Sequence, residues 1–221
     1  MTRTITLTAA AVRRTLAYTP LDEHYPLEAA LAWHQLRPTG RSAARTPGDP
    51  DAVEPPLRPV IDTNHTEVAT RLSRLLCGLA WVTVTRPDDS GSDTVRVEVR
   101  RADYDWVVRA LRGIWQRIRR EFGTAATGDP RAAAALWRMA ILIGGVGPGG
   151  HPIQLGARTP AAALVLANAA TTLDIHVALE CVRGRCVVLV RRPGDVRRML
   201  VAAGAMGQSG QPALPPPPPR T

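Results

Sequence analysis

With 221 residues, 45% of them hydrophobic and only 4% aromatic, the chain is long enough for one large domain or two small ones with a core of Ala, Val, Leu and Ile. Its net charge of +9, carried by 28 Arg and no Lys, favours a polyanion, most simply nucleic acid, because neutralising phosphates releases condensed counterions; the alternative is a basic surface that only aids solubility. An odd count of 3 Cys argues against a disulfide framework, and no segment reaches the roughly 18 apolar residues of a membrane span.

Residues 1–19 include Arg3, Arg13 and Arg14 but no apolar run, so they do not read as a secretory signal, and a cytoplasmic chain is expected. Thr8 caps a short helix that Pro20 stops, and residues 27–36 form a second helix closed by Pro38 and Gly40. Residues 37–60 are rich in Pro and read as an irregular connector, a candidate insertion. A helix over 66–79 lines up Val68, Leu72, Leu75, Leu76 and Leu79, with Cys77 counted in its core. Alternation predicts strands over 81–86 and 94–101 joined by a turn at 87–92.

Residues 105–122 form an amphipathic helix, with Val107, Leu111, Ile114 and Ile118 as the apolar stripe. Arg109, Arg112, Gln116, Arg119 and Arg120 make the opposite face, and Gly123 ends it. An alanine-rich helix spans 131–143, and 151–156 reads as a strand. Thr159, with Pro160 at the first helical position, opens a helix to Leu173. A hairpin over 175–181 and 186–192 turns at 182–185, a last helix covers 194–203, and a Pro-rich tail, with a run of prolines from Pro215, reads as disordered.

The succession helix, hairpin, helix occurs twice. Val99-Arg100-Arg101 ahead of an Asp-led helix matches Val190-Arg191-Arg192 ahead of Asp195-Val196. Element order and charge position both agree, which favours a diverged internal duplication over chance in an alanine-rich chain. The expected architecture is α+β: a first repeat over 1–124 with the insertion, a second over 125–206, a tail over 207–221, and antiparallel sheets covered by helices on one face.

Met139-Ala140-Ile141-Leu142-Ile143-Gly144-Gly145-Val146-Gly147 has the outline of the LAGLIDADG motif of homing endonucleases, without its acid. That family places a carboxylate just before the final glycine; here the position is Val146, and Gly144 replaces the other acidic letter. The matching stretch of the first copy, Arg37-Pro38-Thr39-Gly40, also has no acid. Such a nuclease needs an acid at the end of each motif helix, so that two metal ions flank the phosphate. The resemblance therefore implies the scaffold without cleavage: no enzyme, no catalytic residues, no metal and no cofactor.

In its whole succession the chain resembles WhiA, a bacterial regulator of sporulation and cell division with a degenerate LAGLIDADG domain followed by a helix-turn-helix. Thr8-Ala9-Ala10-Ala11-Val12 running on to Leu16 and Pro20 is similar to that family's opening helix, and residues 27–36 fall at its first motif-like helix. Ile61-Asp62-Thr63 and the helix behind it resemble the following strand and helix. The second half carries Leu136-Trp137-Arg138, the glycines, the Thr159-Pro160 helix, Leu173-Asp174-Ile175 before the hairpin, and Arg192-Pro193-Gly194-Asp195 before the last helix. A Pro-rich tail stands where the helix-turn-helix would begin, which leaves direct, sequence-specific DNA binding in question.

The resemblance implies a curved sheet whose exposed face meets the DNA major groove, and alternation assigns the faces. Val95, Val97 and Val99 point to the core; Arg96, Glu98 and Arg100 point away. On the second hairpin His176 and Glu180 alternate with Ile175, Val177 and Leu179, and Arg183, Arg185 and Arg191 lie in or near the turn and return strand. Arginines there can pair with guanine or phosphate; the alternative is a solvated face, which Glu98 and Glu180 support. Arg109, Arg112, Arg119 and Arg120 suit non-specific phosphate contact or an ordinary helix surface. Cys181 and Cys186 flank the second turn; their spacing is not a zinc pattern, and two reduced strand thiols are the expectation over a redox pair. The glycines at 144–150 follow a helix and lack Lys, so they are not a nucleotide loop.

The expected function is a non-catalytic regulator that binds double-stranded DNA or a DNA-bound partner, with Arg96, Arg100, Arg183, Arg185 and Arg191 facing phosphate. The alternative is a protein-interaction module that pairs with a full-length helix-turn-helix regulator; no membrane partner is expected.

Overall fold

The computed structural model describes residues 8–38, 56–86, 93–124, 128–147, 152–183 and 185–207. Helix α1 (Ala9–Tyr18) leads in, and the Thr8 side chain accepts the Ala11 N–H, closing one orphan donor of its first turn. The first half then runs α2 (Tyr25–Leu36), β1 (Leu57–Thr63), α3 (Thr66–Leu76), β2 (Val82–Thr85), β3 (Val95–Arg100) and α4 (Arg101–Phe122). The second runs α5 (Pro130–Gly144), β4 (Ile153–Ala157), α6 (Pro160–Thr172), β5 (Ala178–Val182), β6 (Arg185–Val190) and α7 (Pro193–Ala202).

Both halves use one order of elements and one sheet topology. The strands lie β1-β3-β2 and β4-β6-β5, antiparallel throughout. Each sheet buries one face under helices, as its alternation demands: Val95, Val97 and Val99 of β3, and Cys186, Val188 and Val190 of β6, are buried. The architecture is therefore α+β with two similar halves. Pro59 sits on the edge strand β1 beside a register shift, a place where a missing N–H does not break the ladder.

Helices α2 and α5 form the spine. Every residue from Leu27 to His34 is buried, as are most from Ala132 to Leu142, because other elements surround both helices. Ala29, Ala30, Ala32, Ala132 and Ala133 keep their side chains small where helices must approach closely. Trp137 is fully buried and donates its indole N–H to the Leu166 carbonyl at 3.1 Å, so its one polar atom is satisfied.

Several expectations need correction. Cys77 is exposed rather than core: it caps the end of α3, where its thiol donates to the Arg74 carbonyl. Cys181 and Cys186 are not two thiols but a disulfide, because the hairpin register sets them directly opposite. Helix α4 starts at Arg101, straight from β3, and its stripe includes Trp115 and Phe122, while Ile114 is only half-buried. Strand β1 begins at Leu57, inside the stretch read as connector. Strand β5 begins only at Ala178, and Leu179, expected inward, is 43% exposed on an edge strand. The turn at 87–92, connector residues 39–55 and the tail from 208 lie outside the described residues.

Candidate nucleic-acid interface

The register of the first sheet fixes which side chains share its helix-free face. Asp62, Arg96 and Thr85 form one row, and Pro59, Glu98 and Thr83 the next. The Arg96 Nε donates to Asp62 at 2.8 Å with both side chains under a quarter exposed, and Glu98 accepts from the Thr85 hydroxyl at 2.9 Å. Leu57 pairs with Arg100 at the end of the sheet, and the Arg100 guanidinium lies 4.9 Å over the ring of Trp81, which is 61% exposed. Two acids thus balance Arg96 and Arg100, and this face carries no net positive field.

The second sheet differs. Its helix-free face presents Gln154, Val187, Arg185, Glu180 and Val182. Arg191, exposed beyond the end of β6, forms an ion pair with Glu180. Arg183 and Arg185 are exposed at the hairpin tip and have no carboxylate partner among the described residues. The disulfide joins the strands at the base of that tip.

On α4, Arg109, Arg112, Arg119 and Arg120 are all exposed on the side away from Val107, Leu111 and Ile118. The helix packs with its other side on α2, α6 and the first sheet. Its basic face and the outer faces of the sheets are therefore separate surfaces, and the structure does not gather the nine sequence-named arginines into one site.

The ends of α2 and α5 meet. Leu31 and Gln35 of α2 share the wall of a small cavity with Ala140, Ile143 and Gly144 of α5 and with Leu155 and Gly156 of β4. Among the described residues no acid lines this place: Arg37 caps α2, while Val146, after the end of α5, is buried and bridged to Ile153. Gly145 has φ 82° and ψ −175°, a conformation open to glycine, and an added Cβ would lie 2.4 Å from a terminal nitrogen of Arg13. Among the described residues no three His, Cys, Asp or Glu side chains converge as a metal site requires.

Around the α2 end the chemistry is cationic. Arg158, between β4 and α6, donates its backbone N–H to the Gln35 side chain at 2.8 Å and a guanidinium N–H to the Arg37 carbonyl at 2.8 Å. The Arg37 guanidinium lies 5.5 Å from the Trp33 ring centroid. His34 stacks on Trp115 of α4 at 4.0 Å and its Nε2 lies 3.2 Å from the Thr159 hydroxyl. Burial lowers the His34 pKa to about 4, helped by the charges of Arg37, Arg158 and Arg119. The imidazole is neutral at pH 7.

Sequence reasoning missed a buried ion cluster. Glu28 of α2 and Arg71 of α3 are both fully buried and meet through two hydrogen bonds, at 2.9 and 2.8 Å. Arg138 of α5 adds a third, at 2.6 Å, and also reaches Asp22 at 3.2 Å and the Ala203 carbonyl at 2.9 Å. Arg71 further donates to the Thr19 carbonyl. Two acids thus face two arginines, and each guanidinium makes three hydrogen bonds, the kind of pairing under which buried ions are tolerated. Asp22 is partly exposed, so the cluster opens toward a surface hollow lined by Asp22, His24, Arg131 and Arg138.

No family model matches the chain, and no curated protein matches it. Among solved structures it is similar to the N-terminal LAGLIDADG domain of DUF199/WhiA, with a TM-score of 0.59 and 12% identity, covering 94% of this chain and 96% of that one. It is also similar to full-length DUF199/WhiA from Thermatoga maritima, with a TM-score of 0.57 and 10% identity, covering 90% of this chain and 62% of that one. The fold is that of the WhiA LAGLIDADG domain, and the chain spans about three fifths of the full-length protein.

Proposed function

We propose that the protein is a non-catalytic, WhiA-like regulatory protein that associates with double-stranded DNA. The observation that carries this reading is the junction of the two spine helices: in a LAGLIDADG fold it presents Arg37, Gly145 and Val146 and, among the described residues, no carboxylate. Metal-assisted phosphodiester cleavage needs carboxylates there to hold the ions, whereas binding needs only positive charge within reach. The net charge of +9 supports a polyanionic partner. Arg183 and Arg185 at the hairpin tip and Arg109, Arg112, Arg119 and Arg120 on α4 are available for phosphate; Arg96 and Arg191 must first leave Asp62 and Glu180.

The test is a fluorescence titration of the full chain against duplex DNA across a salt series. A slope of log affinity against log salt below −2 supports the reading. No binding even at low salt removes it.

The first sheet favours a second reading, a protein-interaction module that pairs with a helix-turn-helix regulator. Its outer face is charge-balanced and exposes Trp81, a surface closer to a protein contact than to a phosphate track. Trp81→Ala that abolishes co-purification with such a regulator, in a chain that does not bind DNA alone, selects it.

A further inference from the structure

The α2 end holds two guanidinium groups in contact with it, Arg37 at the cap and Arg158 before α6, and Arg119 of α4 lies within range for its charge to lower the His34 pKa. None of the three has a carboxylate partner among the described residues. Arg71, Arg96, Arg138, Arg191 and Arg198 each meet an acid, so Arg37, Arg119 and Arg158 belong with the uncompensated arginines such as Arg183 and Arg185. The simplest role for an arginine there is to cap the helix, whose last turn carries about half a negative charge. Arg158 alone fulfils it, through its hydrogen bond to the Arg37 carbonyl. Arg37 and Arg119 are then surplus, and both are exposed.

The surplus is held in place. Arg158 is anchored by backbone and side chain to α2, Arg37 lies near Trp33, and Arg119 follows Trp115 by one helical turn. The His34–Trp115 stack forms the floor between α2 and α4. That floor stays neutral beside three cations, and burial of the Arg158 side chain together with the charge of Arg37 lowers the Arg158 pKa as well. Like charges so placed repel one another until an anion enters. Planar guanidinium forks match phosphate oxygens.

We infer that Arg37, Arg119 and Arg158 form a phosphate-binding cluster that grips the DNA backbone at the α2 end, where the two halves of the protein meet. The inference rests on the DNA-binding reading and names a contact for it. The cluster neutralises a phosphodiester, and among the described residues no carboxylate pairs with it.

Two measurements test it on the full chain. The first is duplex titration across a salt series for the native chain, Arg37→Gln, and Arg37→Gln combined with Arg119→Gln. The side chains of Arg37 and Arg119 make no hydrogen bond among the described residues, so both variants should fold. The salt slope should shrink by about one for each arginine removed, with affinity at low salt falling severalfold each time. The second is the His34 ring titration by NMR with and without duplex. A phosphate at the cluster offsets the arginine charges, so the His34 pKa should rise from about 4 when DNA binds. DNA binding with unchanged slopes and an unmoved His34 overturns the cluster and leaves the DNA reading standing. Absence of binding by the native chain at low salt overturns both.

Discussion

Replacing Glu28 by Gln probes the least forgiving point of the fold. The glutamate side chain is fully buried and accepts from Arg71 twice and Arg138 once, at 2.6 to 2.9 Å. Gln keeps the shape, but it removes the negative charge and replaces one acceptor oxygen with a donor that faces a guanidinium. Arg71, itself fully buried, then keeps the Thr19 carbonyl and the single amide oxygen but no counter-charge, while Arg138 retains Asp22 and the Ala203 carbonyl. Breaking a buried pair by removing one partner costs about 3–5 kcal/mol. Against a typical domain stability of about 5–15 kcal/mol this is a large fraction. For a chain of this length it corresponds to a fall in Tm of roughly 6–20 °C. Urea and thermal unfolding followed by circular dichroism read it directly. The combined variant Glu28→Met, Arg71→Met should recover most of the loss, because a matched apolar replacement leaves no stranded ion there. A Glu28→Gln loss under about 1 kcal/mol would refute the idea that the Glu28–Arg71 pair lies beyond the reach of water.

Three further outcomes follow from the same geometry. The unfolded chain protonates His34 near its ordinary pKa of 6.5 while the folded chain resists until about 4, so stability is greatest above pH 6.5 and falls on acidification. The contribution lost by pH 5 is about 2 kcal/mol, and His34→Phe should remove that part of the pH dependence in urea unfolding at pH 7 and pH 5. Gly145→Ala forces an L side chain into a backbone region reserved for glycine and should cost about 1–3 kcal/mol, with Tm as the readout. Cys181→Ser with Cys186→Ser opens a loop of 5-residue separation and should cost about 2 kcal/mol on the chain-entropy estimate; dithiol treatment of the native chain should lower Tm equally, and no change in either would show the bridge to be idle.

Local chemistry made much of the fold readable. Thr8 and Thr159 cap their helices as their residue types demand, and Pro160 takes the first helical position. The alternation of Val95, Val97 and Val99 gave the buried face of β3, and the recurrence of Val-Arg-Arg before a helix marked the two halves. The interface was less readable, because pairing across a sheet depends on register. Arg96 points outward as alternation requires, yet only the position of Asp62 on β1 shows that it is already engaged. Cys181 and Cys186 flanked a visible turn, but whether they faced each other hung on where the strands ended. Glu28, Arg71 and Arg138 come from three helices far apart in the chain, and no local pattern announces that they meet. Glu28 among Leu27, Ala29 and Ala30 was the one clue: an acid in a run otherwise all apolar needs a cation inside.

Glu28 also bears on how the two halves can exist. Its charge is shared by an arginine from its own half and one from the other. Six residues before the end of α5 stands Arg138; six before the end of α2 stands Ala30. A symmetric pair made from two copies of the first half would leave each acid short of its second cation, and a pair of second halves would hold two arginines with no acid between them. At this cluster the two halves are complementary rather than equivalent, each supplying charge that the other lacks.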